Sequence, residues 1–382
     1  MRKTIAIFIH LKTSFSPEEL KRYSRHLALP GFDEEAQFKL KNAKVTVVGS
    51  GGLGSPVLLY LAAAGVGKLQ VIDDDIVSVS NLQRQVLFTE DDVGKSKTER
   101  ACLKLKNLNF NLHCVASSVR IQSANAFELL IDTDIVVDCT DNFPTRYLVN
   151  DACILLNKPL IYGSVFRYEG QVSVFNYKEG PNYRDLYPSP PAPGSVPDCE
   201  QGGVLGALTG IIGSIMASEV IKVLTGIGQP LTGRLLIFDS ATSETTIIAV
   251  PDQNQRQKIK NLIDYDEYCG LTKTTKTMKE VTVQELKKMI DSKADFQFID
   301  VREPHEYDIC NLGAELIPQG DIPGSVEKIS KDKQVVIHCR SGARSGNMVQ
   351  WLEKNHGFTN LYNLKGGILA WAKEIDTSMP TY

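Results

Sequence analysis

From Lys44 to about Val250, short apolar runs (KVTVVG, KLQVID, DIVVDC, PLIY, QVSVF and RLLIFD) alternate with helix-length amphipathic segments. A strand buried on both faces reads as a continuous run of branched apolar residues, and parallel neighbours need a crossover helix between them. The alternation therefore predicts an α/β fold with a Rossmann-like, mostly parallel sheet and helices on its faces. Between Gly180 and Gly203, prolines at 181, 188, 190, 191, 193 and 197 interrupt the pattern and predict a long surface loop.

The chain has 382 residues, more than the roughly 100–200 of one ordinary domain. After Pro251 the sequence turns polar, from DQNQRQKIKN to LTKTTKTMKE. Residues 251–277 accordingly read as a linker between a first domain over 15–250 and a smaller α/β unit over 278–382. Lys and Arg number 42 against 45 Asp and Glu, a formal charge of −3, which argues against nucleic acid or an acidic membrane as partner. The apolar run Val204–Ser218 is shorter than the roughly 20 residues of a membrane span and reads as a buried helix. MRKTIAIFIHL is interrupted by His10 and lacks a small-residue cleavage site. Eight scattered cysteines without a CxxC pair point to a reducing, cytoplasmic setting with no disulfide framework or zinc ribbon.

In VVGSGGLGS the spacing of Gly49, Gly51 and Gly54, with Gly52 added, follows a strand and opens a helix. Such glycines let a backbone approach a phosphate seated on the helix N-terminus. Asp73, at the end of the next strand, is placed for a ribose hydroxyl. These features alone fit a dinucleotide dehydrogenase equally well. Arg84 in NLQRQ, Lys97 in GKSKTER and Asp141 in DCTDN shift the balance. Joining a carboxylate to a nucleotide α-phosphate brings two anions together and calls for fixed cations and a carboxylate-held magnesium.

SRH (Ser24–His26), GSGGLGS, VIDDDIVSVSNLQRQ, VGKSK, DCTDN, EGQVSVF and GALTGIIGSIMASEVIK follow one another in an order and spacing that resembles one family. It is the family of molybdopterin-synthase and thiamine sulfur-carrier adenylyltransferases, kin to the ubiquitin-activating enzymes. The resemblance implies ATP on Gly51, Gly52 and Gly54, Asp73 at the ribose, and Ser80, Asn81, Arg84 and Lys97 at the phosphates. It further implies Asp141 at magnesium with Asn142 beside it, and Arg25 supplied by the partner subunit of a homodimer. The substrate would be a small ubiquitin-like sulfur carrier ending in Gly-Gly, adenylated at its terminal carboxylate. Cys199, in VPDCEQGG, resembles the family cysteine that acts after adenylation. Many members hold a structural zinc with two CxxC pairs. Here their places look like Asn182 and Asp185, and Asp266 and Cys269, a poor donor set, so zinc is expected to be absent.

HCRSGARS lies between the strand QVVIHC and a helix. Cys339 would sit under inward-pointing N–H groups, with Arg340 and Arg344 nearby, a setting that favours thiolate. Arg340, Ser341, Gly342 and Ala343 separate Cys339 from Arg344, one residue fewer than in the phosphate cradle of tyrosine phosphatases. Together with IDVREPHEY and LKGGILAW, the loop resembles the rhodanese sulfurtransferases. The resemblance implies a persulfide on Cys339, loaded by a donor such as a cysteine desulfurase or thiosulfate. The combined expectation is carrier adenylation followed by thiocarboxylate formation for molybdopterin, or for thiamine or tRNA thiolation. The rival from another class, a nicotinamide or flavin oxidoreductase with a rhodanese tail, leaves Arg84, Lys97 and Asp141 without a task.

Overall fold

The computed structural model describes residues 15–191, 202–251, 259–271 and 278–382. The chain divides into two units, Met1–Thr272 and Lys273–Tyr382.

In the first unit, eight strands form one sheet: β1 (Lys44–Val48), β2 (Lys68–Ile72), β3 (His113–Ser117), β4 (Ile135–Asp138), β5 (Leu160–Phe166), β6 (Glu169–Phe175), β7 (Arg234–Asp239) and β8 (Glu244–Ala249). Their order is β3-β2-β1-β4-β5-β6-β7-β8. The first five are parallel, and β5 to β8 run antiparallel. Val45, Val47 and Val48 in β1 and Ile135, Val136 and Val137 in β4 are buried, as strands covered on both faces must be. The apolar run near 204–218 falls in the Gly206–Thr225 helix, which is long and apolar enough to cross a membrane. Leu208, Ile212, Met216 and Val220, spaced four apart, instead face the first core. Burying such a side chain contributes about 1.5–3 kcal/mol.

Two findings depart from the sequence reading. Cys102, on the Lys97–Leu108 helix, is bonded to Cys114 in β3. The expectation of no disulfide is corrected: packing the helix back on its following strand brings the two Cα atoms to 5.4 Å, a normal bridging separation. Part of the segment read as linker is core: Tyr265 and Cys269 are buried among Tyr147, Tyr183 and Val250. A polar composition concealed them because their neighbours face solvent.

The second unit holds a parallel sheet, β11-β10-β12-β13-β9, made of β9 (Glu280–Val281), β10 (Phe296–Asp300), β11 (Glu315–Leu316), β12 (Gln334–His338) and β13 (Leu361–Leu364). Thr282 caps the Val283–Asp291 helix in a reciprocal capping box with Glu285. The Ala343–His356 helix follows central strand β12, so the loop between them opens at the C-terminal edge of the sheet.

Candidate functional site

From β1 the chain proceeds to β2 and β3 on one side, then returns to β4 on the other. At such a switch the connections diverge and leave a crevice beyond the strand ends, where open α/β sheets bind ligands. A cleft of about 380 Å³ lies there, lined by Gly51, Gly52, Asp73, Arg84, Lys97, Asp141 and Asn142. Seven of the sequence-derived nucleotide residues thus converge. Gly54 does not line the cleft; a Cβ there would stand 2.1 Å from the Gly49 carbonyl oxygen, so its task is close loop–helix packing. Ser80 and Asn81 act one step back. The Ser80 carbonyl accepts from Arg84 Nη1 at 3.0 Å, and Asn81 Oδ1 accepts from the Ser78 N–H at 3.2 Å. Arg25 is exposed on the short Ser24–Leu27 helix and is not among the lining residues.

Asp73 Oδ2 accepts from both the N–H and the hydroxyl of Ser50, each at 2.8 Å, and so ties the glycine loop to the end of β2. Lys97 is 4% exposed with Nζ 2.9 Å from Asp75 Oδ2, a buried cation held against one carboxylate. Asp138 is buried at the end of β4; burial pushes its carboxyl above the usual range, against the pull of Arg146 and the Thr140 hydroxyl. Cys139 also lines the cleft, and burial pushes its thiol well up, so it is no nucleophile there. Asn142 Oδ1 accepts from the Thr145 N–H at 3.0 Å and caps the Phe143–Leu156 helix.

The sequence reading missed Gln85, Arg146 and Thr209, which also line the cleft. Arg146 donates to the Thr140 carbonyl at 2.9 Å and the Ser164 hydroxyl at 3.0 Å, bracing the turn that carries Asp141. Its signal was available: it stands four residues after the Asn142 cap, on the same helix face. Magnesium at phosphate sites is held by one or two carboxylates plus the substrate's own oxygens. Asp141, exposed on the cleft wall, fits that demand.

Zinc does not fit its family place. Asn182 and Asp185 are engaged in a capping box at the Tyr183–Leu186 turn. Burial pushes the Cys269 thiol up to about 11, and Asp266 Oδ1 lies 3.8 Å from Arg120. Instead, Arg184 forks onto Asp151 at 2.8 and 2.7 Å and donates to the Tyr268 hydroxyl at 2.6 Å. The Tyr265 hydroxyl reaches the same carboxylate at 2.7 Å. This buried cluster fastens the Tyr265–Tyr268 turn to the Phe143–Leu156 helix.

In the second unit Cys339 is 1% exposed. Its Sγ accepts from the N–H of Gly342 at 3.2 Å and of Ser345 at 3.4 Å, and the Ser345 hydroxyl, 3.4 Å away, donates to Asn363 Oδ1 at 2.6 Å. Gly342, with φ +91°, turns its N–H inward in a conformation few other residues adopt. Ser341 and Ala343 complete the loop's chain. Arg344 forks onto Glu306 at 2.6 Å on each oxygen. Arg302 is fully buried on Asp300, which places both in the scaffold below the loop. Cys199 lies outside the described residues.

The ThiF family profile matches residues 23–259 and the Rhodanese-like domain profile matches 282–374. The chain is 41% identical to the probable adenylyltransferase/sulfurtransferase MoeZ of Mycobacterium tuberculosis, over 100% of both chains. It is 39% identical to the adenylyltransferase and sulfurtransferase MOCS3 of Culex quinquefasciatus, over 97% of this chain and 91% of that one. Among solved structures, E. coli MccB with ATP resembles it with a TM-score of 0.54 and 26% identity, over 61% of this chain and 72% of that chain. The glycine-lined cleft and the cysteine loop thus fall within two matched families, and relatives that combine both match nearly end to end. The chain belongs to the ThiF family and carries a C-terminal rhodanese-like domain, an adenylyltransferase and sulfurtransferase in one polypeptide.

Proposed function

We propose that the protein adenylates the terminal glycine carboxylate of a small ubiquitin-like sulfur carrier, of the molybdopterin-synthase small-subunit type, and then replaces AMP with sulfur from Cys339. The observation that carries this reading is the convergence of Arg84, Lys97 and Asp141 with the glycine loop in one cleft. A hydride-transferring dinucleotide enzyme has no use for that set. The carrier carboxylate attacks the α-phosphorus, the α–β P–O bond breaks and pyrophosphate leaves. Arg84 and Lys97 offset the charge that builds on the phosphate oxygens. Magnesium at Asp141 would supply further compensation to the same oxygens. Asp73 orients the ribose through Oδ1, which accepts from the Asp75 N–H at 3.0 Å and keeps a lone pair beyond it.

Cys339 persulfide then attacks the acyl carbon and AMP departs, leaving an acyl disulfide. A second thiol, for which Cys199 is the candidate, attacks the Cys339 sulfur, the S–S bond breaks and the thiocarboxylate leaves. An external dithiol reduces the resulting disulfide to restore Cys339. A homodimer in which Arg25 serves the neighbouring cleft is supported by its exposure away from its own. A cysteine desulfurase or thiosulfate would load Cys339. The adenylation half is tested by ATP–pyrophosphate exchange with a carrier ending in Gly-Gly. Carrier-dependent exchange that NAD does not inhibit is expected; no exchange, with NAD bound instead, would return the oxidoreductase reading.

A further inference from the structure

The Ser345 hydroxyl carries one proton and stands between two acceptors, Asn363 Oδ1 at 2.6 Å and Cys339 Sγ at 3.4 Å. Asn363 is 3% exposed on β13, and Ser345 is fully buried in the first turn of the Ala343–His356 helix. A separation of 2.6 Å suits an O–H···O bond and is shorter than an amide N–H donor usually allows. Asn363 Nδ2 lies on the other side, where a Cβ on Gly342 or on Gly346 would stand 3.6 Å from it. The amide oxygen therefore takes the hydroxyl proton, and Ser345 turns a lone pair toward the sulfur. Sγ is left with two donors, the N–H groups of Gly342 and Ser345.

The ionisable groups around the sulfur are engaged elsewhere. Arg344 is forked onto Glu306, Arg302 onto Asp300, and the Tyr382 hydroxyl lies between Arg302 and Glu306. Burial keeps His338 neutral, and Arg340 is exposed. From the Gly367–Glu374 helix, Ile368 and Leu369 meet the loop through their N–H groups. These groups act on the sulfur whichever way the Ser345 hydroxyl turns, so the hydroxyl proton is the adjustable part. A thiolate that receives fewer hydrogen bonds is less stabilised and intrinsically more nucleophilic. We infer that Asn363 is a positioning residue of the sulfurtransferase site: it holds the Ser345 proton away from Cys339, so that the thiolate rests on two N–H groups and stays a strong nucleophile.

The inference rests on Cys339 as the sulfur-carrying group, and the test separates the two. In the thiosulfate half-reaction the Cys339 thiolate attacks the outer sulfur, the donor's S–S bond breaks and sulfite leaves with the bonding electrons. Cyanide then takes the persulfide sulfur as thiocyanate and restores the thiolate. The readout is the pH midpoint of kcat/KM for thiosulfate in the full chain, beside the ultraviolet thiolate absorbance taken against Cys339→Ala. Asn363→Leu removes the acceptor at similar volume and frees the hydroxyl to turn to Sγ. The midpoint should move down by about one pH unit, the tenfold shift of one charge-assisted hydrogen bond. The high-pH plateau should fall about threefold, since nucleophilicity follows basicity with a slope of about 0.4–0.5. Adding Ser345→Ala to Asn363→Leu should bring the midpoint back to the parent's, because no proton remains to redirect. Ser345→Ala alone should not raise the midpoint. An upward shift there would show that the hydroxyl already serves the sulfur and would overturn the inference, as would an unmoved midpoint in Asn363→Leu or a double variant as low as Asn363→Leu. If Asn363→Leu does not fold, Ser345→Ala decides it. Activity surviving in Cys339→Ala would overturn the reading of the cysteine, a different outcome.

Discussion

The two sites solve opposite electrostatic problems. The nucleotide cleft is an open receptacle: Asp141 and Asn142 are exposed on its wall, and Lys97 is paired with Asp75, itself exposed. The cysteine loop is closed and already satisfied, with Sγ accepting from the Gly342 and Ser345 N–H groups and Arg344 forked onto Glu306. A site for a polyanion can wait for its ligand to complete the charge pairing. A site that must carry a reactive sulfur keeps its donors in place beforehand. Losses at the loop should accordingly be all-or-none, and losses at the cleft graded.

The largest effect should come from Cys339→Ala, which should reduce sulfur transfer to background while carrier-dependent pyrophosphate exchange proceeds as in the parent; a thiocyanate assay beside an exchange assay checks both. Asp141→Ala should lower exchange by about 10²-fold, with thiosulfate sulfurtransfer untouched. Exchange at the parent rate would remove Asp141 from the reaction. Next comes the Arg184–Asp151 cluster. Arg184→Met leaves Asp151 buried without its cation, and breaking such a pair costs about 3–5 kcal/mol. Unfolding of the first unit should shift by that amount in denaturant titration, whereas a chelator should leave the parent curve where it is. A chelator-sensitive midpoint would mean that a metal holds this region.

A smaller effect separates the units by pH. His338 is buried beneath the cysteine; burial, aided by Arg302 and opposed by Asp300, pushes it down to about 4. The native chain keeps this imidazole neutral while the unfolded chain takes up a proton near 6.5. Its contribution is therefore complete above about pH 6.5 and is lost as pH falls toward 4, on the order of 3 kcal/mol for a shift of that size. Thermal unfolding of the second unit should show this loss, and His338→Gln should flatten it. Glu306 adds a further loss at lower pH. Burial raises its carboxyl, but the Arg344 bonds, the Glu303 N–H and the Tyr382 hydroxyl overcome that and bring it to about 2.

Legibility in the sequence followed the same division. The six apolar runs named from the sequence all fall in strands of the first sheet, because branched residues buried on both faces announce themselves. Strand β3 was hidden by its polar ends, His113 and Ser117, and β8 by exposure along its whole length. The glycine loop, Lys97 and Asp141 were readable because each follows a strand or opens a helix, and Arg84 because it stands in the NLQRQ run. Gln85 was not singled out, since its approach to the cleft depends on loop folding, whereas Arg146 could have been found from its place four residues after the Asn142 cap. Contacts between distant positions left no local trace: Arg184 meets Asp151 33 positions away, and Tyr382 meets Glu306 76 positions away. The Cys102–Cys114 bond is likewise a product of helix-on-strand packing, which cysteine spacing does not specify.

The central claim is that one polypeptide activates a carboxylate at the cleft and sulfurates it from the loop. Intact-mass spectrometry of a Gly-Gly carrier incubated with the protein, ATP, magnesium and thiosulfate tests it directly. The account predicts a carrier whose mass has risen by the exchange of one oxygen for sulfur, dependent on ATP and on Cys339. With Cys339→Ala, the acyl-adenylate or the unmodified carrier should be recovered instead. A thiocarboxylate formed equally well by Cys339→Ala, or formed without ATP, would contradict it.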